Sequence, residues 1–121
     1  MAHGRTSFKM GTVEMLALFL LDKRDLYGYE IVSLIRTLSE ENLDIAESTL
    51  YPTLYKLIDK NYITYNEVRT GRRRIRVYYH IEEAGRERLA ELLSEYRRNS
   101  IGIEKVLACT ALEENNINEP E

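Results

Sequence analysis

The stretch "ESTLYPTLYKL", residues 47–57, places leucines at 50, 54 and 57, the three-and-four spacing of a helix with one buried face, and sets a proline among them. Proline lacks the backbone donor and crowds the preceding turn, so it is cheap only where its N–H would have no intrahelical partner, within about the first turn. The helix is therefore expected to start near Glu47 or Ser48, or to kink at Pro52. Turning ~100° per residue away from the leucine face puts Ser48, Pro52, Tyr55, Lys56 and Asp59 nearly opposite, with Thr49 and Tyr51 on the flanks. Solvated helix faces usually carry Glu, Lys, Gln and Arg. A strip of hydroxyls, a lysine and an apolar ring suits phosphates and thymine methyl groups instead, which favours DNA contact over a merely wetted face.

Upstream, "VEMLALFLLDK" follows Thr12, an expected N-cap, and is apolar on nearly all sides, as core helices are. A second helix is expected in "RDLYGYEIVSLIRTLSEEN", where Ile31, Leu34, Ile35 and Leu38 recur at helical spacing. Downstream the period changes. "NYITYNEV" and "RIRVYYHI" are β-branched and aromatic, and Ile75, Val77, Tyr79 and Ile81 alternate with Arg76, Tyr78 and His80, the pattern of a half-buried strand. The glycine-containing "RTGRRR" between them makes the pair a hairpin. Its tip gathers Arg69, Arg72, Arg73, Arg74 and Arg76 within eight residues, with no acid between Thr70 and Tyr79. Charge runs are mostly solubilising, but the arginine fork suits phosphate and narrow minor grooves, and the strip on the helix beside it favours phosphate contact.

The last long helix, "EEAGRERLAELLSEYRRNSIGIEKVLACTALEE", carries Leu89, Leu92, Leu93, Tyr96, Ile103, Val106 and Leu107 on a near-heptad stripe that fails around Asn99 and Ser100, and Gly102 weakens it there. Following a complete three-helix domain, it has little of its own chain left to cover, so pairing with a second copy is the better account of the stripe. The expected organisation is an N-terminal arm over 1–10, a winged helix-turn-helix over 11–82, a dimerisation helix over 83–112 and an acidic disordered tail over 113–121. The fold class is mainly α with a two-stranded β wing. In that architecture the third helix enters the major groove while the wing lies over neighbouring phosphates, and a two-fold dimer matches two half-sites.

The formal net charge of −3 argues against nucleic acid only if charge is spread evenly. Residues 1–81 hold 12 Lys/Arg against 10 Asp/Glu, and residues 82–121 hold 5 against 10. Local density of positive charge on one surface is what a polyanion meets. The single cysteine, Cys109, cannot form an internal disulfide. The longest apolar run, Met15–Leu21, is far short of the ~20 residues of a membrane span, and no leader precedes it, which points to a cytoplasmic protein without membrane contact. His3 and His80 are far apart and lack metal spacing; His80 is expected at the surface or facing phosphate. "GRRR" lacks the Lys-Ser or Lys-Thr of a nucleotide loop. No cofactor, metal site or catalytic pair is expected.

These blocks also carry a resemblance. "GTVEMLALFLL", the Tyr27-Gly28-Tyr29-Glu30 opening of the second helix, the Thr49-Leu50-Tyr51-Pro52 block and the Tyr79–Gly85 stretch match, in order and spacing, the PadR family of bacterial transcriptional regulators over roughly residues 11–93. Glu82 departs from the threonine typical there, which puts the cap of the last helix in question. The resemblance implies a homodimeric winged-helix repressor whose last helix makes the dimer and whose operator is an inverted repeat. The short last helix resembles the smaller branch, some members of which bind planar, often cationic drugs at the dimer centre against an aromatic residue. Tyr96 stands in that place here, with a ligand-free dimer-core aromatic as the alternative. The expected partners are thus double-stranded DNA, a second copy and a small aromatic or drug-like effector. The rival from another class is a winged-helix module that docks a protein on the Tyr/Pro face.

Overall fold

The computed structural model describes residues 10–110 and 112. Of the expected arm over 1–10 only Met10 is described, as the first residue of α1, and the acidic tail over 113–121 lies wholly outside the described residues, as does His3. The elements run α1 (Met10–Leu21), β1 (Leu26–Tyr27), α2 (Gly28–Leu38), α3 (Glu47–Asp59), β2 (Ile63–Arg69), β3 (Ile75–Ile81) and α4 (Glu83–Leu107).

α1 starts at Met10, so Thr12 lies inside it instead of capping it. Val13, Met15, Ala17, Leu18, Leu20 and Leu21 are buried, and this nearly all-apolar helix forms the centre of the core. α2 contributes Ile31 and Ile35 fully and Leu34 in part. Leu38, expected on the same face, is exposed because the helix ends there and the chain turns away; Ile45 beyond the turn is buried with the core instead. α2 and α3 end alike. Glu41 N–H donates to the Arg36 carbonyl and Glu40 N–H to that of Thr37, while Tyr62 N–H donates to Leu57 and Asn61 N–H to Ile58. Both closures put a non-glycine residue at positive φ, Glu40 at 54° and Asn61 at 64°.

α3 begins at Glu47, as its spacing predicts, and runs unbroken to Asp59. Pro52 is its sixth residue, beyond the positions where the missing N–H costs nothing. The first intrahelical i to i−4 bond is already made by Leu50 N–H to the Ala46 carbonyl. Pro52 thus deprives the Ser48 carbonyl of its helical partner, on an exposed side where water can reach it. Buried Leu50, Thr53, Leu54 and Leu57 on the other side hold the helix to the core.

The sheet is antiparallel in the order β1-β3-β2, with Ile63 opposite Ile81 and Arg69 opposite Ile75. Two strands were expected; the third is β1, which pairs Leu26 with Tyr79 and Tyr27 with Tyr78. Burial follows the base of the hairpin alone. Ile63, Tyr79 and Ile81 are buried, whereas Ile75, expected on the covered face, is exposed because the tip projects past the core.

α4 departs further from expectation. Its first turns are packed within the chain: Leu89 and Leu92 are buried in the core that α1 also lines, and Leu93 is partly buried. Arg88 Nε–H donates to Glu14 Oε2 at 3.1 Å and Arg86 Nε–H to Asp22 Oδ1 at 3.0 Å, fastening α4 to α1. Gly85 has no room for a Cβ, which would meet the Tyr62 carbonyl. So Leu89 and Leu92, expected at a dimer seam, are core residues of one chain, and the dimer expectation keeps only the residues beyond them. Glu82 precedes α4 without capping it; its carboxylate accepts from Thr64 Oγ1 at 2.8 Å.

Candidate nucleic-acid interface

Ser48, Pro52, Tyr55, Lys56 and Asp59 are all exposed along α3, so the outward strip exists as a continuous surface. Thr49 and Tyr51 are half-buried. The Tyr51 hydroxyl end lies where a Cβ at residue 28 would be, so Gly28 is required by the close approach of α2 to this ring. Burial and the nearby Glu47 carboxylate push the Tyr51 hydroxyl above its ordinary pKa, keeping it a neutral donor. Its ring lies 6.3 Å from that of Tyr55, tilted 35°.

Between α3 and the wing runs an open groove of ≈ 350 Å³ lined by Tyr55, Ile58, Asp59, Tyr65, Val77 and Tyr79. Tyr55 from the strip and Tyr65 from the wing border it together, which places strip and wing on one side of the molecule. Tyr79 closes the floor; burial, then the neighbouring tyrosines, raise its hydroxyl to about 12.

The five arginines divide by what they touch. Arg72, Arg73 and Arg74 are exposed and, with Thr70, Gly71 and Arg76, surround an open concavity at the tip. Arg69 Nη1–H donates to the Arg72 carbonyl at 3.0 Å and Thr70 N–H to that of Arg74 at 2.9 Å, bonds that shape the turn. Arg76 is half-buried, its guanidinium 4.3 Å above the Tyr27 ring. Sequence spacing showed a dense cluster; contacts show three outward cations and two that also shape the wing. Tyr27 was missed as a participant, although its position at the opening of α2, beside a glycine, was visible. His80 is exposed as expected, and its Nδ1 lies 2.8 Å from Asp25 Oδ1.

On α4, Tyr96, Ile103, Val106 and Leu107 are exposed. Tyr96 borders a shallow concavity of ≈ 230 Å³ with Gly11, Thr12, Met15, Leu92 and Ile103. Among the described residues no group of His, Cys, Asp and Glu could hold a metal ion, and no helix is long and apolar enough to cross a membrane.

A helical bundle offering an exposed polar-aromatic strip beside an arginine-tipped wing defines a class, the winged-helix DNA-binding regulators. The family model described as the transcriptional regulator PadR-like family matches residues 17–91, and the chain belongs to that family: it is a regulator of transcription and not an enzyme. A solved transcriptional regulator from Clostridium thermocellum is 33% identical, with a TM-score of 0.72 over 78% of this chain and 89% of that one. Bacillus subtilis PadR, solved in complex with operator DNA, is 28% identical, with a TM-score of 0.63 over 68% of this chain and 47% of that one. A Lysinibacillus sphaericus protein of undescribed role is 33% identical over 94 residues, 76% of this chain and 84% of the relative. The chain thus spans nearly all of the Clostridium regulator and about half of the Bacillus one.

Proposed function

We propose that the chain is a homodimeric repressor that grips an inverted-repeat operator, with α3 in the major groove and the wing over flanking phosphates. The observation that carries this reading is the shared groove: Tyr55 of the α3 strip and Tyr65 of the wing border it together, so the base-reading strip and the strand that leads to the arginine tip lie side by side. Ser48, Thr49, Tyr51, Pro52, Tyr55 and Lys56 are the groove-facing set. Arg72, Arg73 and Arg74 supply the outermost cations, with Arg69 and Arg76 at the base of the tip. The likeness to Bacillus subtilis PadR, which was solved on its operator, supports the same mode of use.

The dimer forms through the second half of α4, where Ile103, Val106 and Leu107 are exposed apolar residues on one helix. Tyr96 lies beside that surface and bounds a concavity, a position suited to a small aromatic or drug-like effector that releases the DNA. Gel-shift titrations against the DNA flanking its own gene, at several salt concentrations, test the reading. A sequence-selective complex whose affinity falls steeply with salt is expected. Absence of such a shift, with the folded protein capturing a protein partner through Tyr55 and Pro52, would favour the docking module. Tyr96→Ala is expected to abolish effector release of the DNA complex that the variant forms.

A further inference from the structure

We propose that Arg76 is a positioning residue for DNA binding: stacked on Tyr27, it ties the orientation of the wing to that of α3 through Gly28 and Tyr51. The inference rests on the DNA-binding reading above. Its neighbours at the tip, Arg72 to Arg74, are exposed, but Arg76 is half-buried with its guanidinium 4.3 Å over the Tyr27 ring. Tyr27 is held from several directions. Its backbone pairs with Tyr78 in the sheet, its ring meets the Tyr78 ring edge-on at 5.4 Å and 76°, and its N–H donates to Glu30 Oε1 at 3.2 Å as α2 begins. The next residue, Gly28, is pressed against the hydroxyl end of Tyr51, which lies on α3 between Leu50 and Pro52 and is tilted against Tyr55. Wing and groove-facing helix are therefore joined by an unbroken run of packed contacts: Arg76, Tyr27, Gly28, Tyr51, Tyr55.

Geometry also separates Arg76 from the groove. Val77 and Tyr79 line it, so successive side chains of β3 put Arg76, Tyr78 and His80 on the opposite face of the sheet. A planar, weakly hydrated guanidinium is suited to lie flat on a ring there. The competing role is a direct phosphate contact, because Arg76 also borders the concavity at the tip.

The test uses the full chain with Arg76→Gln, Tyr27→Leu, their combination, Tyr27→Phe as the conservative variant and Arg73→Gln as a phosphate-contact control. In the free protein, amide hydrogen exchange across residues 70–78 is expected to quicken about two- to fivefold in Arg76→Gln and Tyr27→Leu and to stay unchanged in Tyr27→Phe. In salt-series titrations with its flanking DNA, the first two variants are expected to weaken binding by about the same factor with an unchanged salt slope. The combination is expected to be no weaker than the worse single variant, while Arg73→Gln lowers the slope by about 0.9. A slope lowered by about 0.9 in Arg76→Gln, with exchange unaltered, would overturn the proposal; single effects that multiply in the combination would do so too. If Tyr27→Leu does not fold, Arg76→Gln and Tyr27→Phe still decide by slope and exchange. If the unaltered chain binds no DNA, the functional reading fails, and exchange alone decides whether Arg76 holds the wing.

Discussion

The two halves of α4 carry similar apolar spacing and meet opposite fates. From Glu83 to Leu93 the helix lies on α1, with Leu89 and Leu92 in the core and Arg86 and Arg88 bonded to Asp22 and Glu14. Beyond Tyr96, its Ile101, Ile103, Val106 and Leu107 are exposed. Its two glycines repeat the contrast: a Cβ at Gly85 would strike the Tyr62 carbonyl, whereas one at Gly102 meets nothing within 4 Å. Among the described residues one helix therefore serves as a wall of the winged-helix domain and as an exposed apolar arm. A heptad stripe tells that a helix has something to cover, and the covering element is settled by where the chain puts its other helices.

Substitutions along α4 sharpen that division. Leu92→Ala removes a core side chain and is expected to cost about 3 kcal/mol, read by chemical denaturation at fixed protein concentration. Gly85→Ala forces α4 away from a backbone carbonyl that cannot yield cheaply, with an expected loss of about 2 kcal/mol and a clear fall in Tm. Ile103→Glu combined with Val106→Glu should leave the helical circular dichroism and the fold of the monomer intact while weakening self-association tenfold or more, about 1.4 kcal/mol, in sedimentation velocity. An unchanged sedimentation coefficient together with lost folding would mean that the outer half belongs to the same core as the inner one. Arg88→Met leaves the Glu14 carboxylate, only 15% exposed, without its strongest partner; solvent at the 34% exposed guanidinium limits the expected loss to about 1 kcal/mol. Gly102→Ala, in open space, is expected to gain about 0.5–1 kcal/mol of helix stability, the smallest effect and the only one of stabilising sign.

Much of the fold was legible because it rests on local periodicity. The leucines of α3, the alternation of β3 and the glycine turn each report a repeat that one element must satisfy by itself. The strip of Ser48, Pro52, Tyr55 and Lys56 followed from the same arithmetic and is exposed as expected. What escaped the sequence depends on distant neighbours. β1 is only two residues long, too short for any alternation, and exists because β3 offers it a partner. Tyr51 lies between the core and the groove-facing strip because Gly28, twenty-three positions earlier, makes room for its ring. Leu38 and Ile75 satisfy the spacing of buried residues, yet one stands at a helix end and the other on a projecting tip.

The sequence by itself determined the order of the four helices and the two hairpin strands, the face of α3 that turns outward and the density of cations at the wing, because each is a property of residues close along the chain. The tertiary structure alone decided that Pro52 sits a turn and a half inside α3, that Arg76 is engaged on Tyr27, and that α4 divides between core and free surface. The reason is physical. Periodicity fixes which side of an element is apolar, but burial, stacking and the cost of a missing hydrogen bond depend on what another part of the chain brings against that side.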